Sequence, residues 1–237
     1  MNNQKRLAHF AGLLYLLIAI VGGFSMGYVP QTLTVAGDAA ATINNLLTST
    51  PLFRMGLVGE MWVVVLEIIL TAVMYILLRP VSATLSLVAA LARLSMTIIQ
   101  GVNVLIGFGV LTLLGSSAFT PKQFNDLVIL FVNLREVGVF VWEITFALHL
   151  LVLGYLFAQS RYIPRVLGWG AIVAGFGYGL QGFGNMLAPQ YADTYQLLVM
   201  ILAILPELSL TFWLLIRGVN VGDQNTISAP STVSPAY

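Results

Sequence analysis

Six stretches of this chain hold little that water would solvate, and each is long enough to cross a bilayer. They lie near residues 7–29, 55–78, 83–114, 124–158, 164–187 and 194–216. A helix needs about 20 apolar residues to span roughly 30 Å of hydrocarbon. Water is absent there, so a crossing segment must satisfy its own backbone N–H and C=O groups as a helix. Composition agrees: 59% of residues are hydrophobic and 8% charged, against about 25% charged in an ordinary soluble domain. The expected fold class is all-α, a polytopic membrane protein with six transmembrane helices. Residues 1–217 would form the bundle, and residues 218–237 a polar tail rich in Ser and Pro, expected to be disordered.

The same composition removes several function classes. A net charge of +1 gives no electrostatic case for a nucleic acid partner. The absence of cysteine excludes disulfides, thiolate catalysis and cysteine-held metals. The opening "MNNQKRLAHFAGLLYLLIAIVGG" imitates a secretion signal, but no small-x-small cleavage site closes it, so it reads as a retained first span.

Positive residues orient the spans. With the N-terminus cytoplasmic, the inner side receives Lys5, Arg6, Arg79, Arg161, Arg165 and Arg217, and the outer side only Arg54 and Lys122. Both termini should then be cytoplasmic. On the outer side, Gly37-Asp38 before "AAATINNLL" predicts a capped surface helix that Pro51 ends. Arg135 and Glu136 fall early in the fourth span and read as a snorkelling interfacial pair. They move its spanning part toward Val137 and leave residues 124–136 as an extension. The third and fourth spans then protrude on one side or tilt strongly. On the fifth span, Ala171, Gly175 and Gly179 line one face, which predicts close helix packing or a face left open for a ligand.

Ionisable groups inside a membrane are costly, so their depth carries the functional information. Counted from the cytoplasmic helix ends at about 1.5 Å per residue, Glu67, Arg93, His149 and Glu207 all lie near the bilayer midplane. Glu60, Gln100, Glu143 and Gln181 form a second layer nearer the outer face, with Asn103, Arg135, Glu136 and Asn185 further out. Glu60 and Glu67 share a face of the second span, and Arg93, Thr97 and Gln100 share one on the third. His149 is turned about 240° from Glu143, so those two should meet different neighbours. The expected interior is polar from the middle outward and apolar in its cytoplasmic third, a cavity open to the outside.

Each feature has a plainer reading. Arg93 with Glu67 or Glu207 makes a structural ion pair, and His149 a satisfied interior histidine. Glu67, His149 and Glu207 would also be an oxygen-and-nitrogen metal set, but no HExxH or ExxH spacing accompanies them. A bis-histidine haem is disfavoured, because His9 sits at the inner surface and His149 deep inside.

Several blocks, in order, carry a family resemblance: "AGLLYLLIAIVGG", "GDAAATINNLLTSTPLFRMG", "MYILLRPV", "LARL", "HLLVLGYLFAQSRYIPRVLGWGAIVAGFGY" and "PELSLTFWLLIRGVN". The chain up to about Val221 resembles a bacterial family of six-helix membrane proteins, the DUF4386 group. The resemblance implies a multi-pass protein of the cytoplasmic membrane, and that Arg93, His149, the Arg161–Arg165 turn and Glu207 belong to the family pattern. It implies no reaction, substrate or cofactor. The leading functional expectation is a buried site for a small ligand or ion, formed by Glu67, Arg93, His149, Glu207, Gln100, Glu143 and Glu60, with transport or sensing following from it. Pro206, just before Glu207, would permit movement. Two other classes stay open: an intramembrane enzyme using Glu67, His149 and Glu207, and a scaffold whose buried charges are structural. The sequence does not decide the oligomeric state.

Overall fold

In a computed structural model, residues 3–160 and 162–219 are described. The element order is α1 (Asn3–Gly22), a π-helix (Gly23–Tyr28), α2 (Val29–Leu33), α3 (Ala39–Thr48), α4 (Thr50–Leu78), α5 (Ala83–Leu114), α6 (Pro121–Gln159), α7 (Arg165–Leu187), a 3₁₀ turn (Pro189–Tyr191) and α8 (Ala192–Ile216). The described residues include no strand. Six helical segments are long and apolar enough to cross a membrane, beginning with Asn3–Leu33 and ending with Pro189–Ile216. Beyond Val219 the polar tail lies outside the described residues, as does Arg161.

The first span runs past residue 29, where the sequence suggested an end, and reaches Leu33. Pro30 explains the detour. Proline has no N–H, and its ring collides with the carbonyl four residues earlier in an α-helix. The wider π turn just before it absorbs that mismatch. The surface helix α3 forms as expected, with the Asp38 side chain accepting from the Ala41 N–H at 2.9 Å. Gly37 supplies the left-handed turn before it, at φ +74°. Pro51 does not end α3; Ser49 breaks the helix and Pro51 sits in the first turn of α4. Proline is tolerated there because that N–H would be unpaired anyway.

Helices α5 and α6 have 32 and 39 residues, or about 48 and 58 Å of axis, well beyond the roughly 30 Å of a hydrocarbon core. Both are continuous. A capping box built by Thr120 and Gln123 starts α6, so its first turns are as well formed as the rest.

The spans close into a ring. Each packs on its chain neighbours, α1 on α4, then α4, α5, α6, α7 and α8 in turn, and α1 meets α8. At one end of the ring His9 Nδ1 lies 2.8 Å from the Leu215 carbonyl oxygen. At the same end Ser86 Oγ donates to the Tyr75 carbonyl at 3.0 Å. Two close crossings are also there: a Cβ on Gly154 would stand 2.5 Å from the Gly168 carbonyl oxygen of α7, and one on Gly12 would stand closer still to the Leu215 N of α8. On α7, Ala171 is buried and a Cβ on Gly175 would lie 3.0 Å from Leu151 and 3.1 Å from the Ala147 carbonyl. The small-residue face of α7 therefore serves close packing on α6.

An apolar cluster including Leu70, Met74, Leu77, Met96, Leu153, Phe157 and Leu214 fills this closed end. A second cluster, with Val29, Leu33, Ile43, Leu46, Phe53, Leu57, Val110 and Val128, joins α3 to the far end. Large apolar side chains such as Ile20, Trp62, Ile98, Leu148, Phe176 and Leu205 face outward, one from each span. Lipid is the surroundings in which such a surface is stable.

Candidate functional site

Between the two apolar clusters the ring interior is polar, and it divides into two levels. The deeper level centres on Arg93 of α5, which is 1% exposed. Its Nε donates to Glu67 Oε2 of α4 at 2.6 Å. Its Nη1 donates to the Tyr15 hydroxyl of α1 at 3.1 Å and lies 2.9 Å from His149 Nε2 of α6. A guanidinium has no acceptor, so Nε2 must accept and the proton must sit on Nδ1. That Nδ1 lies 2.8 Å from the Ala89 carbonyl oxygen, which receives it. The guanidinium carbon also stands 5.0 Å from the centre of the Tyr15 ring, within cation–π range. Four helices thus meet on one arginine. The space left beside Arg93 and His149 is about 10 Å³, room for roughly one water.

Glu207 of α8 reaches this level without joining the arginine's hydrogen bonds. Tyr178 of α7 faces its carboxyl group, with Arg93 and Glu67 in electrostatic reach. Its Oε1 is buried without a partner. Pro206 beside it lies against Gly170, where a Cβ would come within 3.0 Å of the proline ring. The depth count therefore brings Glu67, Arg93 and His149 into contact and sets Glu207 next to them. Tyr15 and Tyr178 fall outside it, because a depth count of formally charged groups and histidine passes over phenols. A phenol in an apolar span reads as an interfacial aromatic; counting phenols by depth would have found both.

The outer level is organised around open space. Glu60, Gln100, Asn103, Arg135, Glu136, Glu143, Gln181 and Asn185 all line one cavity of about 520 Å³. These are the eight residues of the outer layer in the sequence. Exposed residues of its lining, including Gln31, Ala36, Glu136 and Gln196, mark the mouth, at the end of the ring away from the His9–Leu215 contact. Apolar walls come from Phe53, Leu57, Val132 and Phe140.

Arg135 and Glu136 are not a snorkelling pair. Arg135 turns inward and donates to Glu60 Oε1 of α4 at 2.5 Å, with its side chain 18% exposed. Room for this is made by Gly107 of α5, where a Cβ would lie 3.3 Å from the guanidinium carbon. Bonding a carboxylate two helices away offsets more of the desolvation of Arg135 than reaching for an interface would. Asn103 donates to the Arg135 carbonyl at 3.1 Å. It fits because Gly138 has no side chain in the space its amide occupies. Gln100 Nε2 lies 3.3 Å from Met26 Sδ of the π-helix.

Other groups on this wall are left over. Glu143 Oε2, Asn185 Oδ1, Trp142 Nε1 and Arg135 Nε are buried and have no partner. Glu143 and Asn185 are 5% and 8% exposed, and both line the cavity. Glu143 and His149 do face different neighbours, as their angular separation on α6 requires: one the cavity, the other Arg93.

A family model described as "Domain of unknown function (DUF4386)" matches residues 10–218. An uncharacterized protein of Archaeoglobus fulgidus is 25% identical over 176 residues, which is 73% of this chain and 89% of that protein. No solved structure matches the chain.

Proposed function

We propose that this chain, which belongs to the DUF4386 family, is a membrane receptacle for a small polar organic ligand. The ligand is held in the cavity lined by Glu60, Gln100, Glu143 and Asn185. One observation carries the reading: a cavity of about 520 Å³ whose wall presents buried polar atoms without partners. Leaving such an atom unpaired costs about 1–3 kcal/mol, and a bound molecule or water offsets it. The volume falls within the roughly 300–1,000 Å³ of small-molecule sites, and the mixture of apolar walls with a few convergent polar groups is theirs too.

In this reading the home of the protein is the bacterial cytoplasmic membrane. The excess of basic residues at the closed end favours cytoplasmic termini, so the mouth faces outside. Residues 1–217 act as one domain, with the polar tail beyond it. The Arg93 cluster is the floor. Its members are committed to one another, so it fixes helix positions rather than binding ligand. Glu207, with a free oxygen beside Pro206 and Tyr178, is the group that would exchange a proton if the floor opens. Binding in the cavity is then the first step of uptake or of sensing.

A panel of anionic, neutral and cationic organic compounds of about 10–20 non-hydrogen atoms tests this by thermal unfolding of the purified protein. Ligand at 100 times its Kd stabilises by about 2.7 kcal/mol. At least one compound should raise the midpoint in the natural chain and not in a variant with the cavity filled by Gln181→Trp and Val139→Trp. If no charge class discriminates between the two proteins, the reading fails.

A further inference from the structure

Acidic and basic side chains on the cavity wall are unequal in number, and the surplus has a place. Three acidic side chains, Glu60, Glu136 and Glu143, share the wall with one guanidinium, Arg135. Arg135 is taken by Glu60. Glu136 stands exposed at the mouth. Glu143 lies two turns further along the same face of α6, 5% exposed, with Oε2 unpartnered. The nearest part of α7 is drawn in at Gly182, where a Cβ would lie 2.8 Å from the Phe140 carbonyl oxygen and from Ile144. That crossing joins the stretch of α6 bearing Glu143 to the stretch of α7 bearing Gln181 and Asn185. Asn185 adds a second unpartnered oxygen.

A bare metal ion does not fit this wall. Among the described residues no three His, Asp or Glu side chains converge to hold one, and the cavity is far larger than an ion. A cationic head on an organic body does fit. The head would donate to Glu143 and Asn185, and the body would lie along Phe53, Phe140 and Trp142. Aromatic faces also favour cations. We propose that the cavity selects organic monocations, primary ammonium compounds with an apolar or aromatic body, and that Glu143 is the residue that recognises the charge. This rests on the ligand-cavity reading and names its substrate class.

The chain has no cysteine, so a single Gln181→Cys reports on the cavity alone. The full-length protein in neutral-lipid nanodiscs is reacted with a cationic and with an anionic methanethiosulfonate reagent of similar size. With each rate divided by the same reagent's rate on a free small thiol, the cationic reagent should label the introduced thiol about tenfold faster at low salt. Adding Glu143→Gln should collapse that ratio toward one, and Glu143→Asp should keep it. Phenethylammonium should slow the labelling, and 2-phenylethanol should do so at least about tenfold less well. The unliganded unfolding midpoint of Glu143→Gln shows whether that variant is folded, and Glu143→Asp decides the matter if it is not. Equal normalised rates for the two reagents in the natural background overturn the cation assignment and leave a cavity for other ligands. No labelling by either reagent overturns the cavity reading itself.

Discussion

Two arginine–glutamate pairs hang from one face of α4, two turns apart, and the protein treats them differently. Arg93–Glu67 is sealed, with side chains 2% and 5% exposed, and His149 and Tyr15 occupy further donors of the same guanidinium. Arg135–Glu60 is shorter, at 2.5 Å, but its arginine is 18% exposed and borders 520 Å³ of space. A bond length therefore says little about what a pair does in a membrane protein. What matters is whether the neighbouring polar atoms are used up. Around Arg93 the groups that bond the guanidinium are, with only Glu207 Oε1 left over beside them, and the pair holds helices. Around Arg135 several are not, and the region is available for binding.

The largest effect should come from breaking the sealed pair. Removing one partner of a buried pair costs about 3–5 kcal/mol, because the other charge is left without compensation. Arg93→Met should lower stability by that amount, seen as a fall in unfolding midpoint and in folded yield from detergent. Arg93→Met with Glu67→Met should recover more than half of the loss, since an apolar replacement removes both desolvation penalties. A single variant as stable as the natural chain would show that the cluster is not the floor.

A smaller effect contrasts the packing of the two ends. Gly154→Ala sets a methyl 2.5 Å from a backbone oxygen that cannot rotate away, and overpacking of this kind costs about 1–3 kcal/mol. Gly27, in the π-helix that lines the cavity, has nothing within 4 Å of a built Cβ. Gly27→Ala should stay within about 1 kcal/mol of the natural chain. Thermal unfolding of the two variants side by side reads the difference, and equal losses would remove the distinction between a packed end and an open one.

The sequence displayed this division in part. Six apolar runs marked the spans, with every end within five residues, because the cost of an unpaired backbone group in hydrocarbon leaves one solution per segment. Depth counting then separated Arg93, Glu67 and His149 from Glu60, Gln100 and Glu143, since a straight helix converts residue number into height. It could not say which groups at one height would touch. That depends on rotation and lateral order, which put Glu207 beside Tyr178 rather than on Arg93. It also missed Arg135–Glu60, because a charged dipeptide near a span end reads as interfacial until Gly107 is seen to leave room for it. The π turn before Pro30 was invisible for a related reason: an apolar run records hydrophobicity, not the hydrogen-bond pitch that a proline imposes.

The smallest effect separates the two pairs by their access to salt. Glu60→Gln keeps the shape of the side chain and removes its charge from Arg135, which still has Glu136 beside it in sequence and space on one side. Partly exposed pairs contribute about 0–1 kcal/mol, so the loss should fall in that range. It should also shrink as salt rises, because the screening length falls from about 10 Å at 0.1 M to about 3 Å at 1 M and ions can enter a cavity of this size. The loss in Arg93→Met should not change over the same range, because no ion reaches a guanidinium that is 1% exposed. Unfolding midpoints of both variants against the natural chain, at about 0.05 and about 1 M sodium chloride, give the comparison. If the Glu60→Gln difference holds constant with salt, or matches that of Arg93→Met, the outer pair is as closed as the inner one. The unpartnered oxygen of Glu143 would then have no solvent path along which a ligand could arrive.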